Sequence, residues 1–118
     1  MTARVDADEL AAEWLAKSTQ PVGDRHCRLD DAASDDPESA WSAILKVIEH
    51  PLTDEQTAYL AAGPPEILLS KHGAAFIDRV EHEARVNPKF SFLLGGVWKH
   101  GMSDDVWNRV QRARSAVW

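Results

Sequence analysis

Apolar residues along this chain recur three and four positions apart, the spacing that puts them on one face of an α-helix. No stretch alternates apolar and polar residues long enough for a half-buried strand. The pattern predicts an all-α fold, a compact bundle of about six or seven short helices with no substantial sheet. In DADELAAEWLAK, Leu10 and Trp14, joined by Ala11 and Leu15, make the apolar stripe of a helix over 6–17, with acidic residues at its positive end. In DPESAWSAILKVIEH, Asp36 is placed to cap, Pro37 suits the first helical position, and Trp41, Ile44, Leu45 and Ile48 share a face.

Thr53 and Gln56 stand at capping-box spacing and open a third helix that carries Tyr59 and Leu60 inward and ends at Gly63. Pro64 and Pro65 would break a continuing helix but fit the first turn of a new one, so PPEILLSKH reads as a short helix closed by a left-handed Gly73. AAFIDRVEHEARV then follows, with Phe76, Ile77, Val80 and Ala84 on one face. Asn87 and Pro88 start PKFSFLLGGVWKH, where Phe90, Leu93, Leu94, Val97 and Trp98 are core candidates and Gly95-Gly96 marks a kink or close packing. Ser103 caps the last helix, with Met102 placed to staple against Trp107 and Val106, Val110, Ala113 and Val117 forming its buried stripe. Short connections favour antiparallel neighbours. Residues 18–36, polar and weakly periodic, read as a long loop within a single domain spanning 1–118.

The net charge of −6 is unevenly placed: residues 1–38 hold ten acids and four bases, and the remainder is balanced. An acidic surface disfavours direct nucleic-acid binding, which needs cations to replace phosphate counterions, and suits a protein partner with a basic face. The lone Cys27 cannot form an internal disulfide, and MTARVDADEL lacks the basic and apolar regions of a secretory signal; the expectation is a cytoplasmic protein. Apolar runs are interrupted well before the roughly 20 residues that span a bilayer, so no membrane segment is predicted.

LAAGPPEILLSKHGAAFIDRVEHEA, NPKF, LLGGVW and MSDDVWNRV together resemble a small bacterial domain family of unknown function. Its members carry a Trp-containing first helix, a D-P-E-x-A-W helix start, an A-A-G-P-L-E-x-L-L-x-x-H-G stretch and a later V-W. The resemblance covers about 9–110 and departs from the pattern at Pro65, where the family prefers leucine. It implies a compact bacterial helical domain and no activity.

His72, His82 and His100 with Glu81 and Glu83 are the first place to seek a metal or acid–base site. They lack H-E-x-x-H spacing, and neighbours such as His82 and Glu83 diverge by about 100° on a helix. His72 before Gly73 also reads simply as a helix C-terminal residue meeting free carbonyls. Arg25, His26 and Arg28 could lower the Cys27 thiol pKa, although no base is placed beside it. No phosphate-binding glycine loop occurs, and no catalytic set, metal or cofactor is predicted.

Two readings remain. The first is a non-enzymatic interaction module, an inhibitor, immunity-type or phage-related modulator of another protein, acting as monomer or homodimer. Its acidic segment 24–38, with Asp30, Asp31, Asp35 and Asp36, would steer a basic partner, and Trp107, Arg109 and Arg112 near Trp118 would offer a second surface. The same acidic third also suits mimicry of nucleic acid. The second is a small metal-binding or hydrolytic enzyme using His72, His82, Glu83 or His100.

Overall fold

The computed structural model describes residues 6–21, 23 and 27–115; Asp24, Arg25, His26, Val117 and Trp118, named above, lie outside them. The described residues form seven helices: α1 (Ala7–Lys17), α2 (Arg28–Asp35), α3 (Pro37–Ile48), α4 (Asp54–Ala61), α5 (Pro64–Val86), α6 (Pro88–Leu94) and α7 (Asp104–Ala113), with no strand among them. The all-α class is as the periodicity predicts.

Caps at Ser103 and Asn87 are as the sequence predicts: Ser103 accepts from the Val106 N–H, and Asn87 from those of Lys89 and Phe90. Asp6, placed in the sequence only among the acids at the positive end of α1, is its N-cap and accepts from the Asp8 N–H. Thr53 and Gln56 form the reciprocal capping box of α4. The Gln56 amide also donates to the Ser18 hydroxyl at 2.9 Å, so a local cap becomes a tie between α4 and the end of α1. Asp36 occupies the N-cap position of α3 without a side-chain cap bond, and Pro37 starts the helix.

The expected loop over 18–36 is corrected: its second half is α2, which buries Leu29, Ala32 and Ala33. The local sequence hides this helix because its cap comes from elsewhere. Cys27, at the N-cap, makes no side-chain cap bond. Instead Glu13, on α1, accepts from the Arg28 backbone N–H at 2.7 Å and from the Arg28 Nε at 2.9 Å, satisfying one of the free donors at the helix start. Burial acts to raise the Glu13 pKa, but these Arg28 bonds outweigh it and hold the carboxyl below its usual range.

The segment 64–86 holds the two helical stretches expected, labelled together as α5 and separated by a kink at His72, where φ is −130° and ψ 23°. Gly73 is not left-handed. Its role is close approach: a Cβ there would lie 3.0 and 3.1 Å from the two Val106 methyl carbons, so α7 packs on bare backbone. The kink carries a bond of its own, because the His72 imidazole Nε2–H donates to the Ser34 carbonyl at 2.7 Å, joining α5 to the end of α2.

Helix α5 packs against α2, α3, α4, α6 and α7, while α1 lies on α2 and α3. Gly73 meets Val106, and Asp78 and Glu81 meet Arg109, so sequence number rises together along α5 and α7. These two helices are therefore parallel, as α6 intervenes between them and returns the chain. Aromatic pairs join the core to its edge: buried Trp14 stacks on half-buried Tyr59 at 5.8 Å, and half-buried Trp41 meets buried Phe90 edge-on at 5.5 Å and Phe76 at 6.0 Å. Such pairs contribute about 0.5–1.5 kcal/mol each beyond their buried area. Among the described residues no buried side-chain N or O atom lacks a hydrogen-bond partner, and no helix is long and apolar enough to cross a membrane.

Alanine at a helix interior usually gains about 1 kcal/mol over glycine. At position 73 the Val106 methyls reverse that sign: Gly73→Ala should destabilise by about 1 kcal/mol in urea unfolding, as overpacking does. In a double-mutant cycle with Val106→Ala the loss should largely disappear; additive losses would refute the close-approach account.

Candidate functional site

The surface feature that stands out is the connection between α6 and α7. Gly95 and Gly96 follow the last turn of α6, and the chain then runs through Val97 to Met102 before Ser103 caps α7. Val97 and Met102 are buried at 1% and 4% exposure, whereas Trp98 between them is 63% exposed. Trp98 is thus a correction. The helical period that made it a core candidate does not continue past Gly95, and the irregular chain that follows buries Val97 and leaves Trp98 exposed.

The loop is held against α5 along its length. The Trp98 N–H donates to Glu66 Oε1 at 3.2 Å and the Gly101 N–H to Ser70 Oγ at 3.2 Å. Met102 N–H closes the turn on the Lys99 carbonyl at 2.8 Å, and the Lys99 ammonium pairs with Asp104 at the start of α7. His100, at the tip, has φ 44°, a left-handed conformation that a non-glycine residue keeps only where its surroundings fix it. Burial pushes the Glu66 carboxyl above its usual pKa, partly offset by the Trp98 N–H and the nearby His100. The result is a large aromatic side chain presented outward on a pinned backbone.

The residues named for a second surface are placed differently from one another. Arg109 reaches back to α5, where its Nε donates to Glu81 Oε2 at 3.0 Å, its Nη2 to Asp78 Oδ1 at 2.6 Å, and the same Nη2 to Glu81 Oε1. It clamps the parallel pair α5–α7. Trp107 packs half-buried against the core with the Arg114 guanidinium 5.6 Å from its ring centroid. Arg112 is exposed and lines a cleft with Glu81, Ala84, Arg85 and Ala113.

On α2, Asp31 and Asp35 are exposed and Asp30 and Asp36 half-buried. Asp30 lies against the turn before α5, its Oδ1 3.3 Å from where a Cβ on Gly63 would stand. The histidines do not converge. His72 is spent on Ser34, His82 sits on the exposed side of α5 beside Arg79 and Glu83, and His100 is at the loop tip. Glu83 accepts from the Asn87 amide, and Glu81 is taken by Arg109. Among the described residues no three His, Cys, Asp or Glu are grouped to hold a metal. Cys27 is 2% exposed, and burial raises its thiol pKa, contrary to the lowering that its basic neighbours suggested; Arg28 is engaged with Glu13.

Fold and site together define a small helical domain that displays one aromatic loop. Its family follows from comparison: residues 17–117 match the family of unknown function DUF6869, and the chain belongs to that family. No curated protein and no solved structure matches the chain.

The Arg109 hydrogen bonds lower the Glu81 pKa, so Glu81 stabilises the fold above the ordinary carboxylate range, and that contribution is lost as pH falls through its folded pKa. Glu81→Gln should therefore be less stable than the native chain at neutral pH. Thermal melts should show the gap begin to close below about pH 4, as the unfolded carboxyl of the native chain protonates, and close fully once the folded carboxyl is protonated too. A gap independent of pH would mean that Glu81 acts through packing and not through charge.

Proposed function

We propose that this chain is a non-enzymatic protein–protein interaction module, bacterial and cytoplasmic, which binds and modulates a partner protein in the manner of an inhibitor, immunity-type or phage-related modulator. The observation that carries this reading is Trp98, 63% exposed on a loop fixed to α5 at Glu66 and Ser70. Tryptophan dominates binding hot spots because one rigid side chain buries a large area, and a prefixed backbone reduces the entropy lost on association. Phe92 is also exposed, at 45%, but among the described tryptophans Trp98 alone is: Trp14 is buried, and Trp41 and Trp107 pack against the core.

The exposed acids Asp31 and Asp35 on α2 support a supplementary role in steering toward a basic partner surface. Arg109, with its three bonds to α5, belongs to the fold in this reading, and the contact falls to Trp98. His72, His82 and His100 do not converge, which favours binding over catalysis in this reading.

Trp98→Ala should leave the stability within about 0.5 kcal/mol, as for other exposed positions. Used as bait in extracts of the native host beside the unaltered chain, it should lose a partner that the unaltered chain retains, with affinity weakened about thirtyfold or more. Asp31→Asn with Asp35→Asn should slow association at low salt and leave dissociation nearly unchanged. A partner held equally by the Trp98→Ala chain, or no protein enriched above control, would contradict the proposal.

A further inference from the structure

Each described arginine but two has a side-chain hydrogen bond, ion pair or ring contact, and those two reach Glu81 through charge without such a contact among the described residues. Arg28 pairs with Glu13, Arg79 with Glu38, Arg109 with Glu81 and Asp78, and Arg114 lies over Trp107. The remaining two, Arg85 and Arg112, come from different helices and line the same cleft, about 360 Å³ in volume, with Glu81, Ala84 and Ala113. Both are exposed, and each sits in the last turn of its helix.

The negative ends of α5 and α7 account for a cation in each last turn. They do not account for both guanidiniums lining one cleft, which follows from the parallel packing that brings the two helix ends side by side. Glu81, the acid in the lining, is already bound through both oxygens to Arg109. We propose that this cleft is a carboxylate-binding site, in which Arg85 and Arg112 take one carboxylate group while Ala84 and Ala113 contact the carbon that bears it.

Charge selects carboxylate over phosphate. Asp78 and Glu81 against Arg85, Arg109 and Arg112 leave a single excess positive charge, which one monoanion neutralises. A phosphate dianion would overshoot, in a chain whose net charge is already −6. Planar guanidinium also matches the two oxygens of a carboxylate in geometry. The inference is independent of the Trp98 loop and stands whether or not that loop binds a protein.

The test follows the arginine Nε–H resonances of the isotopically labelled full chain during titration with sodium acetate, against sodium chloride at matched ionic strength. Acetate should move Arg85 and Arg112 together and saturably, beyond any effect of chloride, and leave the paired Arg79 in place. Arg85→Gln should weaken the acetate response at Arg112 about tenfold or more, the loss expected for a charge-assisted hydrogen bond, and Arg112→Gln should do the same at Arg85. Both positions are exposed, so the variants should fold, which an unchanged amide spectrum elsewhere would verify. A parallel titration with a short glutamate peptide separates the sources: tighter binding than acetate assigns the site to an acidic polypeptide, equal binding to a free carboxylate, and either supports a carboxylate site. Equal shifts with chloride, saturation by inorganic phosphate at lower concentration than acetate, or a response at Arg112 unaffected by Arg85→Gln would overturn it.

Discussion

The structure depends on burying the start of a helix. Pro64 and Pro65 are both buried, at a helix N-terminus where free backbone N–H groups would ordinarily need water or a cap. Proline brings no N–H, so two of the donors that burial would orphan are absent, while its fixed φ suits the first helical turn. Gly63 allows the approach, with Asp30 and the Tyr59 carbonyl close to where a Cβ would stand. The Gly-Pro-Pro that looks like an interruption in an apolar run is what lets α5 begin inside the molecule.

From that buried start α5 serves as the surface on which most of the chain assembles. Its first turns hold the Trp98 loop through Glu66 and Ser70, and its middle bends at His72 to meet α2. Gly73 admits α7, and Asp78 and Glu81 fasten it through Arg109. One helix thus positions both the exposed aromatic side chain and, at its far end, the cleft that contains Arg85 and Arg112. The proposed interaction function follows from this placement: a loop between α6 and α7 would not present Trp98 in one direction without the two bonds to α5.

Locally encoded features were legible in the sequence and features fixed by distant partners were not. The caps at Thr53, Asn87 and Ser103 lie within three residues of the groups they satisfy, and the apolar stripes of α1 and α3 follow helical period. The cap of α2 comes from Glu13, fifteen residues away, so a segment with weak periodicity read as loop. His72 marks the break between two helical stretches as read, but what holds the break is not local: the ring finds an acceptor in Ser34, and Gly73 serves the approach of Val106 and not a left-handed cap. Trp98 shares helical spacing with Leu94, yet that spacing has no meaning once the helix ends at Leu94. Of the residues named for the second surface, Arg112 lines a cleft, but its companion there is Arg85, which no spacing along the chain connects to it.

The central claim is that an exposed tryptophan is carried on a rigid backbone, and exposure without rigidity would make the loop an ordinary mobile connection. Backbone order parameters from nuclear spin relaxation measure this directly across residues 97–102. The account predicts values near 0.85, equal to those of the flanking helices; values below about 0.6 would contradict it.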